Sequence, residues 1–152
     1  MSRVRADAEP EPPRFCSSLR LMPSAGEYFV IRPDEFEFTP PSKGDQTRGV
    51  MRLSEFLDQS RANIWRMPPS SQGRRHRETT QEEIFVSLKG TAILLLGEPA
   101  VAVELPRGSL ALVKPQTPVQ LANGGEEDAI VLIVGAPATI GDAEYLPDST
   151  FA

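Results

Sequence analysis

Apolar and polar residues along this chain alternate in short runs, without the repeat of a long amphipathic helix. After residue 60 the runs recur at intervals of roughly 8–12 residues, with Gly or Pro between them. Short strands at this spacing are typical of an antiparallel sandwich or barrel. The strands predicted here are Asn63–Met67, Glu83–Leu88, Thr91–Leu96, Val101–Leu105, Leu110–Lys114, Val119–Ala122 and Ala129–Val134.

The chain before residue 60 gives weaker signals. Tyr28–Ile31 and the alternating Phe36–Phe38 predict two short strands, whereas residues 39–48 hold Pro, Gly and Asp and predict a loop. Val50–Phe56 fits either helical spacing or a strand, and we favour a strand followed by an irregular turn. Residues 1–20 begin with charges and prolines and no apolar core, so we expect a disordered leader rather than a signal peptide.

Composition narrows the classes of partner. The formal net charge is −5, which argues against nucleic acid or an anionic membrane as the main partner. Cys16 is the single cysteine, so the chain cannot form an intrachain disulfide, and nothing supports secretion. The longest apolar runs are too short to cross a bilayer. A cytoplasmic protein is therefore the expectation.

The candidate chemistry lies in residues 76–83. His76 and Glu78 are two positions apart on a predicted strand, so their side chains point to the same side. Glu83 follows after a four-residue connection and can face this pair across a hairpin. One imidazole and two carboxylates form a common open site for Fe(II), Mn(II), Ni(II), Co(II) or Zn(II), at which substrate, oxygen or water can bind.

These residues resemble the first motif of the cupins, a family of small double-stranded β-helix barrels. The motif reads G-x5-H-x-H-x3–4-E-x6-G. His76, Glu83 and Gly90 match its first His, its Glu and its closing Gly. Glu78 stands in place of the second His, and a carboxylate oxygen can still coordinate a metal. The leading Gly is displaced, since Ser70 occupies its position.

The second cupin motif is matched less completely. The segment 114–123 resembles its Pro-Gly-Thr-Pro-His…Asn stretch, and Asn123 matches the final Asn. Val119 stands where the last metal-binding His belongs, and it cannot coordinate a metal. The resemblance covers roughly residues 60–136 and implies a ligand pocket inside the barrel.

The resemblance implies an all-β fold, a cupin double-stranded β-helix (jelly-roll-like) barrel with a flexible N-terminal leader. We expect residues 1–20 to form the leader, residues 21–136 the barrel and residues 137–152 a C-terminal tail that packs back through Tyr145, Leu146 and Phe151. The outward face of the strand at Glu83–Leu88 is also apolar, which requires either sheet packing or a dimer. Cupins are commonly dimers, so the resemblance implies a homodimer.

Two interpretations of the acidic cluster stay open. With a divalent metal bound by His76, Glu78 and Glu83, the chain would resemble cupin dioxygenases or isomerases. Without metal, repulsion between the carboxylates would leave one protonated, and a Glu beside His76 would form the acid/base pair of an isomerase or cyclase. A small-molecule binding protein without catalytic activity is the third alternative.

Strand parity extends the candidate site into a pocket. Phe85 and Ser87 share the parity of Glu83, and the inward positions near them are mainly apolar. Such a lining favours an apolar or aromatic small molecule. The predicted pocket residues are Asn63, Trp65, Phe85, Ser87, Val119 and Leu121.

Overall fold

The computed structural model describes Gly26, residues 28–138 and residues 143–150. The described chain is nearly all-β, with short 3-10 turns at Pro33–Glu35 and Ser54–Phe56. Its strands are β1 (Gly49–Arg52), β2 (Arg61–Met67), β3 (His76–Glu78), β4 (Glu82–Lys89), β5 (Thr91–Leu96), β6 (Val101–Pro106), β7 (Leu110–Val113), β8 (Val119–Ala122), β9 (Ala129–Ala136) and β10 (Ala143–Tyr145).

The strands form two five-stranded antiparallel sheets. The first sheet has the order β1-β2-β9-β4-β7, and the second has the order β10-β3-β8-β5-β6. From β3 onward the chain repeatedly crosses from one sheet to the other. This winding confirms the predicted double-stranded β-helix.

The main core lies between the two sheets. Side chains of β4 alternate, so Glu83, Phe85 and Ser87 are buried while Glu82 and Ile84 are exposed. The inward residues of both sheets meet there, as expected for sheets packed face to face. Fully buried members of this core include Met67, Phe85, Leu94, Val119 and Val131.

Most predicted strands are confirmed. The strands at Thr91–Leu96 and Val119–Ala122 have the predicted bounds, and the others differ by one or two residues at an end. The ambiguous segment at residues 50–56 is a strand followed by a 3-10 turn, as favoured above. No helix in the described residues is long and apolar enough to cross a membrane.

The two strands predicted before residue 40 are wrong. Residues 28–32 form no strand, and Phe36–Phe38 leads only to an isolated bridge between Thr39 and Val50. Pro33 instead begins a 3-10 turn, and Phe36 and Phe38 pack on the outer face of the first sheet. Their side chains become partly buried against Met51, Ile64 and Ile130 without strand pairing.

The remaining outer face of the first sheet is apolar and open. Ile84 pairs with Leu112, and Val86 pairs with Leu110. The exposed fractions of Ile84, Leu110 and Leu112 are 38%, 64% and 75%. This face continues from the part that residues 31–38 cover.

The C-terminal segment returns to the barrel beside the candidate residues. β10 pairs with β3, so that Tyr145 lies opposite His76 and Ala143 lies opposite Glu78. The amide of Leu146 donates a hydrogen bond to the carbonyl of Arg75 at 3.0 Å. The predicted leader at residues 1–20, with Cys16, and Phe151 of the tail lie outside the described residues.

Candidate functional site

Three ionisable side chains meet between the two sheets. His76, Glu78 and Glu83 each offer one ligand atom, and these atoms all lie within 4.8 Å of one another. Glu78 and Glu83 are buried, with exposed fractions of 6% and 8%. No further His, Cys, Asp or Glu joins this group among the residues that the structure describes.

The route by which these residues meet differs from the sequence prediction. β3 and β4 are not hairpin partners, because β3 belongs to the second sheet and β4 to the first. The short connection between them crosses from one sheet to the other, so Glu83 faces His76 and Glu78 across the interior. The site therefore lies inside the barrel, and its two buried carboxylates interact with nearby charges more strongly than they would in open water.

The orientation of the His76 ring is set from outside the cluster. Nδ1 of His76 lies 3.2 Å from the carbonyl oxygen of Arg74, to which it donates when it carries a proton. Nε2 then faces Glu83, with 3.6 Å between Nε2 and Oε2 of the carboxylate. A neutral ring in this tautomer presents a lone pair to a carboxylate, which is unfavourable. The arrangement is favourable when Nε2 carries a proton or when a cation lies between the two groups.

The carboxylates alter the acidity of His76. Burial lowers its pKa, whereas the carboxylate of Glu83, the carbonyl of Arg74 and the charge of Glu78 raise it. The raising effects prevail, so the pKa of His76 lies above its ordinary value of 6.5. The protonated imidazole therefore suits this site in the absence of metal.

The same donor set fits a divalent metal ion. Zinc binds His nitrogen and carboxylate oxygen at about 2.0–2.2 Å, so two ligands of one ion are at most about 4.4 Å apart. The three donor atoms are already within 4.8 Å of one another, so small side-chain movements bring them to that range. His76, Glu78 and Glu83 would be the ligands, and their two negative charges would balance the ion.

The cluster opens into a cavity of about 420 Å³. This volume lies within the usual range for small-molecule sites, about 300–1,000 Å³. The first sheet contributes the apolar residues of the wall together with the polar Arg61, Asn63 and Glu83, and the segments before β1 and β3 contribute further polar groups. Of the predicted pocket residues, Asn63, Trp65, Phe85 and Leu121 line this cavity.

Two predicted pocket residues lie elsewhere. Ser87 and Val119 are in the sealed core and do not line the cavity, with Ser87 bonded to the carbonyl of Gly90. Val119 pairs directly with His76 across the second sheet. Val119, at the position of the family's last His, therefore lies beside the candidate ligand His76, but its side chain packs in the core.

One row across the first sheet links the cluster to a distant strand. Arg61 on β2 and Glu83 on β4 both pair with Gly135 on β9, so all three face the cavity at the same level. A Cβ at Gly135 would collide with the side-chain amide of Gln81. The glycine thus makes room for Gln81, whose Nε2 donates to the Pro137 carbonyl at 2.6 Å.

Several cavity residues were missed by sequence reasoning. Strand alternation could have identified two of them. Arg61 is two positions before Asn63 and Arg74 is two positions before His76, so each is expected on the same face as that residue. The others enter from loops or a different strand, and no local pattern identifies them. The missed lining residues include Arg48, Arg61, Arg74, Gln81 and Gly135.

Comparison with known proteins supports this architecture. Residues 63–135 match the cupin domain family, and the matched segment contains His76, Glu78 and Glu83. A search of curated proteins found no match to the chain.

Solved structures with the same fold come from proteins of differing activity. A protein with a double-stranded β-helix domain from Klebsiella pneumoniae is 24% identical, covering 80% of this chain and 100% of that chain, with a TM-score of 0.65. The polyketide cyclase RemF from Streptomyces resistomycificus is 15% identical, covering 81% and 88%, with a TM-score of 0.65. A sugar phosphate isomerase from Silicibacter pomeroyi is 21% identical, covering 72% and 76%, with a TM-score of 0.61. At these identities the likeness shows the fold.

Proposed function

Because the chain belongs to the cupin superfamily, we propose that its cavity is the active site of a small-molecule enzyme in which His76, Glu78 and Glu83 hold a divalent metal ion. The observation that carries the proposal is the meeting of these three side chains at a cavity of about 420 Å³. The ion is Fe, Mn, Ni, Co or Zn, all of which accept imidazole and carboxylate ligands.

The reaction that we propose is an isomerisation or a dioxygenation of a small molecule with an apolar or aromatic body. A bound ion supplies Lewis acidity to an oxygen of the substrate. The carbonyl of Arg74 fixes the ring of His76 by accepting from Nδ1, a support that metal-binding histidines commonly have. Phe85 and Trp65 give the substrate an apolar surface and exclude water.

Elemental analysis tests the metal. We expect about one equivalent of Fe, Mn, Ni, Co or Zn per chain in tag-free protein purified without chelator. Glu83→Gln should lose it. Glu82→Gln is the matched control, because Glu82 is an exposed neighbour that pairs with Lys114 at 2.6 Å and does not line the cavity. Metal far below one equivalent in the wild type, unchanged after soaking in each ion, would contradict the proposal.

A metal-free acid/base site is the second candidate. The 3.6 Å approach of Nε2 of His76 to Oε2 of Glu83, together with the raised pKa of His76, favours it. In that case His76 is the general acid, and Glu83 or Glu78 is the base. Turnover that survives complete removal of metal but is abolished by Glu83→Gln would select this candidate. If the wild-type protein shows no turnover and Glu83→Gln leaves its ligand affinity intact, the result would indicate a binding protein instead.

We also propose that the protein is a homodimer. The open apolar face at Ile84, Leu110 and Leu112 supports this, since a monomer rarely leaves large apolar side chains grouped in water. A small molecule remains the proposed ligand, and neither nucleic acid nor membrane is proposed as a partner. The chain's formal net charge of −5 supports that choice.

A further inference from the structure

Gln81 places a buried amide in the wall of the cavity. Its exposed fraction is 2%, and it is one of the residues that line the cavity. Gln81 and Glu83 are buried while Glu82 between them is exposed, so the alternation of β4 already begins at Gln81. Two residues of extended chain place its Cα about 6.6 Å from that of Glu83. Because a buried amide costs free energy unless it is hydrogen-bonded, the partners of its two ends matter.

The nitrogen of the Gln81 amide is held by the backbone. Nε2 donates a hydrogen bond to the carbonyl of Pro137 at 2.6 Å. This bond also defines which end of the amide is the oxygen, because the opposite orientation would bring two carbonyl oxygens together at that distance. Oε1 therefore points away from Pro137 and has a fixed direction.

The oxygen of the same amide lies over the bare Cα of Gly135. A Cβ on Gly135 would overlap Oε1 and come within 2.5 Å of Cδ of Gln81. Gly135 is the cross-strand partner of Glu83, and the Cβ positions of such partners are about 4.5–5.5 Å apart on one face of a sheet. Oε1 thus takes nearly the place of that Cβ and is a direct neighbour of the Glu83 side chain. The Glu83 carboxylate in turn lies 3.6 Å from Nε2 of His76.

A second buried glutamine shows how the protein treats an amide with a structural role. Nε2 of Gln120 donates to the carbonyl of Gly73, and its Oε1 accepts from the amide of Ser149, both at 2.9 Å. Gln120 does not line the cavity. In contrast, no N–H or O–H within the part of the chain that the structure describes donates to Oε1 of Gln81. This acceptor is therefore available to a group that enters the cavity.

We infer that Oε1 of Gln81 is a specificity-determining acceptor, which binds a hydroxyl or N–H group that the substrate carries next to its reacting atom. The inference rests on the proposed function, because it assigns a substrate class to the same site. The class is a small molecule with a hydrogen-bond donor beside the group that the cluster acts on, and with its apolar or aromatic body against Trp65 and Phe85. An analogue without the donor would displace water and leave Oε1 unpaired, which is how a polar group in a pocket rejects a ligand.

Pairs of probes that differ in one donor test the inference. Isothermal titration of protein as purified would compare 2-hydroxyacetophenone, benzyl alcohol and benzamide with 2-methoxyacetophenone, benzyl methyl ether and N,N-dimethylbenzamide. At least one donor-bearing probe should bind about 5-fold or more tightly than its methylated partner, since a neutral hydrogen bond contributes on that scale. The methyl groups also add bulk, so the decisive quantity is the change in this preference between the wild type and the variants.

Variants of three residues locate the effect. Gln81→Met keeps the length of the side chain without the amide, and should weaken binding of the preferred probe by about 5-fold and leave its methylated partner unchanged. Gly135→Ala should have the same effect, because the added Cβ displaces the amide. The combined variant should lose nothing further, since both changes act on one group. Gln120→Met is the matched control, which should lower stability and keep the preference. Thermal unfolding shows whether each variant is folded.

Three binding results overturn the inference: no donor-bearing probe preferred by the wild type, a preference that persists in Gln81→Met, or an equal loss of preference in Gln120→Met. Gln81→Met should keep the metal content of the wild type, and loss of metal there would make Gln81 a metal ligand and also overturn the inference. Metal at one equivalent without a donor preference refutes the substrate class alone. A preference that depends on Gln81 in a protein without metal or turnover supports the substrate class and refutes the proposed enzyme.

Discussion

His76 on β3 and Val119 on β8 are direct cross-strand partners in the second sheet. Side chains at such positions have Cβ atoms about 4.5–5.5 Å apart and share a face of the sheet. Val119 is also where the cupin motif has its last metal-binding His. The position of the missing ligand therefore still lies beside the cluster. The ligand is missing because the side chain there differs, and the backbone still passes the site.

Val119→His should restore a fourth ligand. We expect metal affinity to rise about 10-fold or more, the scale on which even supporting residues act. Without metal the variant should be destabilised by about 1–3 kcal/mol, because a larger polar side chain enters a sealed core. Competition with a chelating dye and urea unfolding measure the two effects.

The control for this variant is Val131→His, which places the same side chain in the core of the first sheet, away from His76. It should be destabilised without binding metal more tightly. Equal metal affinities in the two variants would contradict the assignment of Val119 to the ligand position.

Removal of metal should lower thermal stability. A site occupied at about 100 times its dissociation constant contributes about 2.7 kcal/mol, which corresponds to roughly 5–10 °C in Tm for a chain of this size. Calorimetry with and without chelator measures the difference. Glu83→Gln should show no chelator effect, whereas Glu82→Gln should behave as the wild type does. A chelator effect of equal size in Glu83→Gln would place the metal elsewhere.

Titration of His76 should show a raised pKa in metal-free protein. The chain has one histidine, so a single imidazole signal in the NMR spectrum reports it without assignment. Because the folded pKa lies above the unfolded value, the stability contributed by this group is fully present below about pH 6.5. It is lost as pH rises through the folded pKa. Glu83→Gln should lower the pKa of His76, and an unchanged pKa would show that Glu83 does not interact with the ring.

Leu112→Asp should dissociate the proposed dimer. Leu112 is 75% exposed, so the folded monomer should lose about 0.5 kcal/mol or less, while a charge at the interface opposes association. Sedimentation should show a dimer for the wild type and a monomer for the variant. Val101→Asp, at a residue 61% exposed on the second sheet, should remain dimeric. A monomeric wild type, or a dimer that only Val101→Asp disrupts, would exclude this face.

The sequence predicts the barrel well because alternation is a local signal. The strand at Glu83–Leu88 shows its inward and outward residues directly, and Gly90 marks its turn with φ of +67°. The prediction of a strand at Phe36–Phe38 was wrong because the same alternation occurs where aromatic residues pack on a sheet without joining it. Here Pro33 and the turn that it begins divert the chain.

The site was only partly predictable. His76 and Glu78 share a face by parity, but the approach of Glu83 depends on a crossing between sheets, which spacing does not distinguish from a hairpin. Arg48 and Gln81 reach the cavity through contacts between distant segments. The apolar pocket expected from parity is therefore, in the structure, a cavity with an apolar wall and three arginines.

The short strand that carries His76 and Glu78 gives the site two parts of unequal rigidity. β3 has three residues, with one register pair to β8 and three to β10, whereas β4 has seven register pairs to β9 and four to β7. Local opening of β3 and β10 would withdraw the imidazole and one carboxylate together and leave Glu83 in place. Amide hydrogens of β3 should then exchange faster than those of β4. The cluster would be assembled and dispersed by a local transition that leaves the rest of the barrel folded.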